Sequence, residues 1–190
     1  MSDDEAPGWA SITAAFSALY GDQEPAHRAL VPGVAFGGAL EGISAYRADW
    51  GWHFVTYGLT ELFGKESDDA EVSGWGYELT LLTAGGDEPP EWAWRLLHAL
   101  AAAAVRDGRR HDAGDRIDLG EPLDGGTSAL TALAIRDDPL AEPQPSPFGR
   151  YRLLQLVGVT AEQLEEIRAG STEAVLARLT AGDGLLRTAP

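Results

Sequence analysis

Residues 52–82, WHFVTYGLTELFGKESDDAEVSGWGYELTLL, decide the fold because two runs with β-strand character flank an acidic loop. From Trp75 onward, large apolar residues alternate with Gly, Glu and Thr, which is the pattern of a strand that buries one face. Residues 52–59 are rich in the aromatic and β-branched side chains that fit a pleated surface. We therefore predict two neighbouring strands, at 52–59 and 75–83, at the centre of the domain.

Length and composition limit the class of protein. A chain of 190 residues is long enough to bury about 70% of its unfolded surface as one domain. It has no cysteine, which excludes disulfides, a thiol nucleophile and thiolate metal sites. The chain opens with acidic residues where a signal peptide needs positive charge, and no apolar run approaches the about 20 residues that span a bilayer. We expect a cytoplasmic protein without a membrane segment.

The net charge is −16, from 30 acidic and 14 basic residues, and Lys65 is the one lysine. Nucleic acid is bound by neutralising phosphates with a basic patch, and the sequence shows no such patch. This balance therefore argues against nucleic acid and against anionic membranes as partners. Two interpretations remain open: the charge serves solubility, or it attracts a basic protein partner at long range.

Two long helices are predicted from apolar periodicity. Residues 9–20 carry apolar side chains at spacings of three and four, which indicates one buried stripe on an amphipathic helix. Residues 91–106 repeat the pattern, and Gly108 is placed to end that helix. Thr160 and Gln163 form a capping-box pattern for a further helix through residue 167, and Ser171 or Thr172 caps another that ends near residue 179.

The remaining elements complete an α+β prediction. Besides the two central strands, we predict strands at 27–31, 42–50, 116–119, 130–136 and 151–159. Residues 137–149 are proline-rich and are predicted to be irregular. We predict a single α+β domain at residues 8–180, with a central mixed or antiparallel sheet flanked by helices. Residues 1–7 and 181–190 are predicted to be flexible tails.

Few residue patterns point to catalysis. No nucleophile elbow, phosphate-binding glycine loop or His-Glu-x-x-His motif is present. His53 and Glu78 can share a sheet face as an acid/base dyad, although a simple cross-strand pair explains them better. The cluster of His111, Asp112, Asp115 and Asp118 would suit a hard divalent cation if its loop folded back, but a solvated turn is the more common structure. We predict no catalysis, no cofactor and no metal.

The acidic loop at 60–74 is the candidate for contact with a partner. It is longer than most strand connections, and its carboxylates are predicted to be exposed. Aromatic side chains at strand ends can anchor a partner when they are part-exposed. We place the partner contacts on an exposed sheet face and at the loop ends: Tyr46, Arg47, His53, Tyr57, Glu66, Asp68, Asp69, Trp75 and Glu78.

Three separated motifs carry a family resemblance. They are WHFVTYGL at 52–59, SGWGYELT at 73–80, and a run from PFG to LQLVGVT at 147–160. In this order they resemble suppressor-of-fused domain proteins, and the likeness extends over residues 8–179. The resemblance implies a mixed sheet flanked by helices, no catalytic activity, and protein binding.

The resemblance also implies two kinds of partner. Animal members hold a segment of a transcription factor as an added strand between this domain and a second, C-terminal domain, which we do not expect in this chain. Bacterial single-domain members are associated with polymorphic toxin systems, and the Ala, Gly and Arg bias suggests a GC-rich bacterial gene. We therefore expect an immunity protein that neutralises a toxin domain. The alternatives are a regulatory or scaffold domain unrelated to toxins and a metal-dependent hydrolase. The oligomeric state stays open.

Overall fold

Strand β4 (Val72–Ala84) lies in the middle of a mixed sheet in the computed structural model, which describes residues 5–190. It pairs antiparallel with β3 (Gly51–Tyr57) and parallel with β8 (Gly149–Thr160). From Tyr77 to Thr83 every residue of β4 is buried. The prediction of a strand with one exposed face is therefore wrong, because helices cover both faces of the sheet.

The described residues form an eight-stranded sheet, which confirms the predicted mixed sheet. Its order is β1 (Ala26–Ala29), β2 (Gly42–Ala48), β3, β4, β8, β6 (Leu130–Asp137) and β5 (Arg116–Asp118), and β7 (Gln144–Ser146) pairs with β8 outside this order. All pairs except β4–β8 are antiparallel. The segment predicted to be irregular thus contains a short strand. Its Pro145 is tolerated there because proline can lie on an edge strand, where one side needs no donor.

The helices of residues 5–190 are α1 (Pro7–Tyr20), α2 (Glu91–Asp107), α3 (Ala161–Ala169) and α4 (Thr172–Thr180), with a 3₁₀ turn at Val34–Phe36. The local capping chemistry confirms two predicted helix starts. Thr160 and Gln163 form a complete capping box at α3, and the Ser171 side chain accepts a hydrogen bond from the third residue after it at α4.

The core has two layers because alternate residues of a strand point to opposite faces. On β8, Leu154 and Leu156 pack with α2, whereas Leu153 packs with α1 and Val157 packs with α3 and α4. Helix α2 therefore covers one face of the sheet, and α1, α3 and α4 cover the other. None of the helices in residues 5–190 is long and apolar enough to cross a bilayer.

The end of the chain packs against the sheet and differs from the predicted tail. Leu186 is buried among the side chains of α3 and α4, and Thr188 forms a bridge with Thr83 of β4. Gln155 of β8 adds a hydrogen bond from its side-chain amide to the Leu185 carbonyl, 2.8 Å away. The N-terminal part of the other predicted tail, residues 1–4, lies outside the described residues.

Leu156 tests the central position of β8. Its side chain is fully buried, so Leu156→Ala leaves a cavity and is expected to lower the free energy of unfolding by about 2–5 kcal/mol. Urea denaturation measures the change as a lower midpoint with an unchanged slope. Leu19→Ala on α1, where 38% of the residue is exposed, is the control and should cost much less. Equal midpoint shifts for the two variants would contradict the central position of β8.

Candidate functional site

The structure buries four of the nine side chains that were predicted to contact a partner. At most 2% of each residue is exposed: Tyr46, His53, Tyr57 and Glu78. Helix α1 covers them, since Phe16 stacks on Tyr46 at 4.9 Å between ring centroids and Trp9 stacks on Tyr57 at 4.3 Å. The prediction that these four lie on an exposed sheet face is wrong, because the stripe of α1 occupies that face.

His53 and Glu78 share a face of the sheet but form no dyad. The two ring nitrogens of His53 contact the Tyr20 hydroxyl at 2.9 Å and an Asp138 carboxylate oxygen at 3.0 Å. Burial would raise the pKa of Asp138, but hydrogen bonds from His53, Thr80 and the Leu140 amide hold it below its usual range. Burial also raises the pKa of Tyr20. With the His53 and Asp138 side chains fully buried, this network holds the end of α1 on the sheet.

Two of the candidate metal ligands at 111–118 are paired with arginines. Asp112 pairs with Arg152, and Asp118 pairs with Arg168 at 2.8 Å. The His111 ring lies 3.7 Å from an Asp115 oxygen, and burial lowers its pKa. In the described part of the chain, no group of three or more His, Asp or Glu side chains is arranged to hold a metal ion.

A cleft of about 430 Å³ lies beside the acidic loop, close to four of the predicted contact residues. Trp75 and Glu66, both predicted to contact a partner, line it, and Asp68 and Asp69 lie exposed on the same loop. The other predicted residue, Arg47, lies elsewhere, with its guanidinium over the Trp52 ring at 5.2 Å. Further lining comes from residues that were not among the predicted contacts: Val34, Leu59, Leu62, Phe63 and Arg110.

Two glycines allow the backbone to form the floor of this cleft. Gly58 has a φ of 135°, and a Cβ there would lie 2.8 Å from the Cα of Leu40. Gly74 has a φ of 54°, and a Cβ there would lie 2.7 Å from the Leu59 carbonyl oxygen. Only glycine adopts such conformations without strain. The glycines of the YGL and SGWG motifs therefore let the turn after β3 approach the start of β4.

The buried carboxylate of Glu78 holds the turn after β3 through hydrogen bonds. Its Oε1 accepts hydrogen bonds from the Gly58 amide at 2.9 Å and from the Thr60 amide and hydroxyl, each at 2.8 Å. Its Oε2 accepts the Thr56 hydroxyl at 2.6 Å. The Gly58 and Thr60 amides lie beyond the end of β3, and the Glu78 carboxylate supplies the acceptor that these donors need. The side chain predicted to be surface-exposed is therefore the support of the cleft floor.

The acidic loop is fixed by a second carboxylate. Glu61 was predicted to be exposed, but only 8% of it is. Its Oε1 accepts the Glu66 and Ser67 amides at 2.7 and 2.6 Å. Burial would raise the pKa of Glu61, but these amides and Lys65 lower it to about 2. The loop thus has an internal anchor, and its remaining carboxylates face solvent.

Lys65 ties this anchor to the rest of the domain. Its ammonium lies within 3.0 Å of an acceptor on each of Glu61, Ser67, Val72 and Phe148. Phe148 precedes β8, so the lysine connects the loop to a strand far along the chain. An ammonium can donate three hydrogen bonds, and all of its donors have acceptors here. The wall of the cleft is therefore held in one conformation.

The surface around the cleft carries exposed aromatic side chains and, on the side away from the acidic loop, an arginine. Phe63 is 44% exposed inside the cleft, and Phe36 is 85% exposed on the 3₁₀ turn that contributes Val34 to the lining. Across from the acidic loop, Arg110 lies over the Trp75 ring at 6.0 Å and donates to the Gly74 carbonyl. The sequence held one signal for these residues: phenylalanines next to glycines in loops have no strand or helix to bury them.

A comparison with known proteins identifies the family to which this chain belongs. The family model for suppressor of fused protein matches residues 39–190, and the chain belongs to the suppressor of fused family. The human and mouse suppressor of fused homologues are each 30% identical over 147 residues, which cover 73% of this chain. The chain spans only 29% of the length of either protein. In eukaryotes the family acts in protein interactions and is regulatory and non-enzymatic.

Solved structures agree with this assignment. The Drosophila suppressor of fused structure has a TM-score of 0.90 and 26% identity, covering 98% of this chain and 50% of that one. A chain in the Sufu–Fu complex gives a TM-score of 0.89 at 26% identity, covering 95% of this chain and 88% of its own length. A suppressor of fused homologue from Neisseria gonorrhoeae shares the fold, with a TM-score of 0.62, 14% identity, and coverage of 93% and 90%.

Lys65 tests whether the loop is fixed. Lys65→Met removes the ammonium but keeps the aliphatic stem, so we expect a loss of about 1–3 kcal/mol of unfolding free energy and faster proteolysis within residues 61–72. Arg178→Met is the matched control because it removes an exposed cation that pairs with Glu166, and such pairs contribute about 0–1 kcal/mol. Equal proteolysis of the loop in both variants would mean that Lys65 does not hold it.

Proposed function

We propose that this domain binds a protein partner in the cleft and has no catalytic activity. The observation that carries the proposal is a preformed cleft whose wall and floor are fixed by buried carboxylates while Phe63 and Phe36 remain exposed. Large exposed apolar side chains that cluster around a concave site are typical of interaction surfaces. The family's role in protein interactions supports the same proposal.

The chemistry of the cleft favours a particular kind of partner segment. An apolar or aromatic side chain of the partner would insert between Phe63 and Trp75, where it loses contact with water and provides most of the affinity. Basic residues beside that anchor would face Glu66, Asp68 and Asp69 on the rim. With a net charge of −16 on the chain, attraction at long range would speed the encounter with a basic protein.

We further propose that the partner is a toxin domain and that this chain is its immunity protein in the cytoplasm of a bacterium. The support is the resemblance to bacterial single-domain members together with the acidic surface, which suits a basic toxin. A regulatory or scaffold domain that binds a different protein through the same cleft is the alternative. The two differ in the gene context: a toxin gene next to this one favours immunity, and its absence favours a regulatory domain.

Phe63 tests the cleft as the binding site. A photo-crosslinking amino acid at position 63 captures the partner in its native host, and the identified protein is then purified for binding measurements. We expect Phe63→Ala to weaken binding by about 30-fold, equivalent to about 2 kcal/mol, through faster dissociation. Leu19→Ala on α1 is the matched control, since Leu19 has a similar exposure of 38% against 44%. If the two variants bind equally well, the partner does not use the cleft.

The acidic rim is tested by charge reversal. The probe is the toxin domain encoded beside this gene, or otherwise the partner captured at position 63. Asp68→Lys with Asp69→Lys should slow association and flatten its salt dependence while dissociation changes little. Asp87→Lys with Glu88→Lys makes the same change in net charge on the exposed loop before α2 and is the control. Equal slowing by both double variants would show that net charge, and not this loop, steers the partner.

The immunity proposal has its own readout. Co-expression of this chain with the adjacent toxin domain should restore growth, and Phe63→Ala should reduce that protection. Binding without protection would leave the cleft as a docking site but would refute immunity.

A further inference from the structure

Glu78 is a buried acid whose hydrogen bonds end directly on the residues that line the cleft. Gly58 and Thr60, which donate to its Oε1, both line the cleft, and Leu59 lies between them. The Glu78 side chain itself is fully buried and does not contact solvent. A change at this carboxylate is therefore transmitted to the cleft floor through two backbone amides.

The charge of Glu78 has no compensating cation. Among residues 5–190 its hydrogen-bond donors are two hydroxyls and two amides, with no Lys, Arg or His. Burial raises the pKa of Glu78 to about 7, because these four donors lower it by less than burial raises it. A buried acid of this kind exchanges its proton within the neutral range, whereas an exposed glutamate does so near pH 4.5.

The surroundings allow both protonation states. With Glu78 ionised, the Thr56 hydroxyl donates to Oε2 at 2.6 Å and accepts the Leu79 amide at 2.9 Å. With Glu78 protonated on Oε2, that oxygen can donate to Thr56, whose hydroxyl then turns to the Leu79 carbonyl at 3.4 Å. Oε1 keeps its three donors in either state. The hydrogen bonds from these donors become weaker when Glu78 is neutral, because hydrogen bonds to an ionised acceptor are roughly twice as strong as those to a neutral one.

We propose that Glu78 is a positioning residue that makes the cleft respond to pH in the neutral range. The ionised carboxylate holds the Gly58 and Thr60 amides tightly and orders the floor, whereas the neutral acid loosens it. The inference rests on the proposed function in one respect, namely that an ordered floor favours the partner. Binding should then strengthen as pH rises through neutrality.

Other titratable groups pack around Glu78 and must be separated from it. Three tyrosines interact with it electrostatically, and burial raises the pKa of each, so they stay neutral in this range: Tyr57, Tyr77 and Tyr151. Behind them, the His27 ring lies 6.2 Å from Tyr57, and the His111 amide donates to the Tyr77 hydroxyl. His53 lies further along the same face with Tyr20 and Asp138. A variant at position 78 is therefore needed to assign a pH effect to Glu78 and not to one of these neighbouring groups.

The test is a pH titration of the free protein by two-dimensional amide NMR. We expect the Gly58 and Thr60 amides, and the Trp75 indole as a reporter in the cleft, to shift with a shared midpoint near pH 7. Glu78→Gln imitates the neutral acid, so these shifts should be lost while histidine signals still titrate. Shifts that persist in Glu78→Gln, or that are absent from the natural protein across the neutral range, would overturn the inference.

A second measurement does not depend on the cleft. The pKa of Glu78 is raised on folding, so the unfolded chain loses this proton first and the stability contribution of the residue falls as pH rises from about 4.5 to about 7. The urea midpoint of the natural protein, compared with that of Glu78→Gln, should therefore decline across this interval; parallel curves for the two proteins would contradict the inference.

The outcomes for this residue and for the cleft can be told apart. Failure of the amide titration removes the pH response but leaves binding in the cleft untouched. Failure of the Phe63 experiment removes the binding site while the titration of the Gly58 and Thr60 amides can still be observed.

Discussion

A carboxylate buried without a cation is the constraint on which the cleft depends. Removing an ionisable group from water is costly unless hydrogen bonds compensate, and Glu78 is compensated only by hydroxyls and amides that surround it. Those donors can converge on one carboxylate only if the chain turns sharply after β3, which the positive φ of Gly58 permits. The shape of the cleft floor is thus set by the need to satisfy a buried acid.

The layers of helices explain why so much polar chemistry is internal. Helix α1 covers the sheet face that carries Glu78, Thr80 and His53, and the last residues of the chain cover its continuation near Gln155. Hydrogen bonds among Tyr20, His53 and Asp138 fix the C-terminal end of α1. Glu78 fixes the turn after β3 in the same way, through hydrogen bonds to its backbone amides. Specific polar contacts therefore orient the helix on the sheet, while apolar contacts supply the burial.

Sequence patterns predicted the elements well because their signals are local. The apolar periodicity located α1 and α2, the capping box located the start of α3, and β-branched runs located the central strands. Burial of β4 on both faces was missed because Glu78 and Thr80 have the alternation of a solvent-exposed face, and the groups that satisfy them come from distant segments. For the same reason the candidate site was only partly predicted. Its acidic rim and Trp75 follow from composition, whereas the exposure of Phe36 and Phe63 depends on which surfaces the folded chain leaves uncovered.

The central claim is that the cleft is preformed, with its wall and floor held by Glu61, Lys65 and Glu78 before any partner arrives. Amide hydrogen exchange in the free protein measures this directly. If the cleft is preformed, the amides of Gly58, Thr60, Glu66 and Ser67, which donate to buried carboxylates, should exchange far more slowly than the amide of the exposed residue Asp68 in the same loop. Exchange of these four amides at the rate of Asp68 would show that the loop is not held, and would contradict a preformed binding cleft.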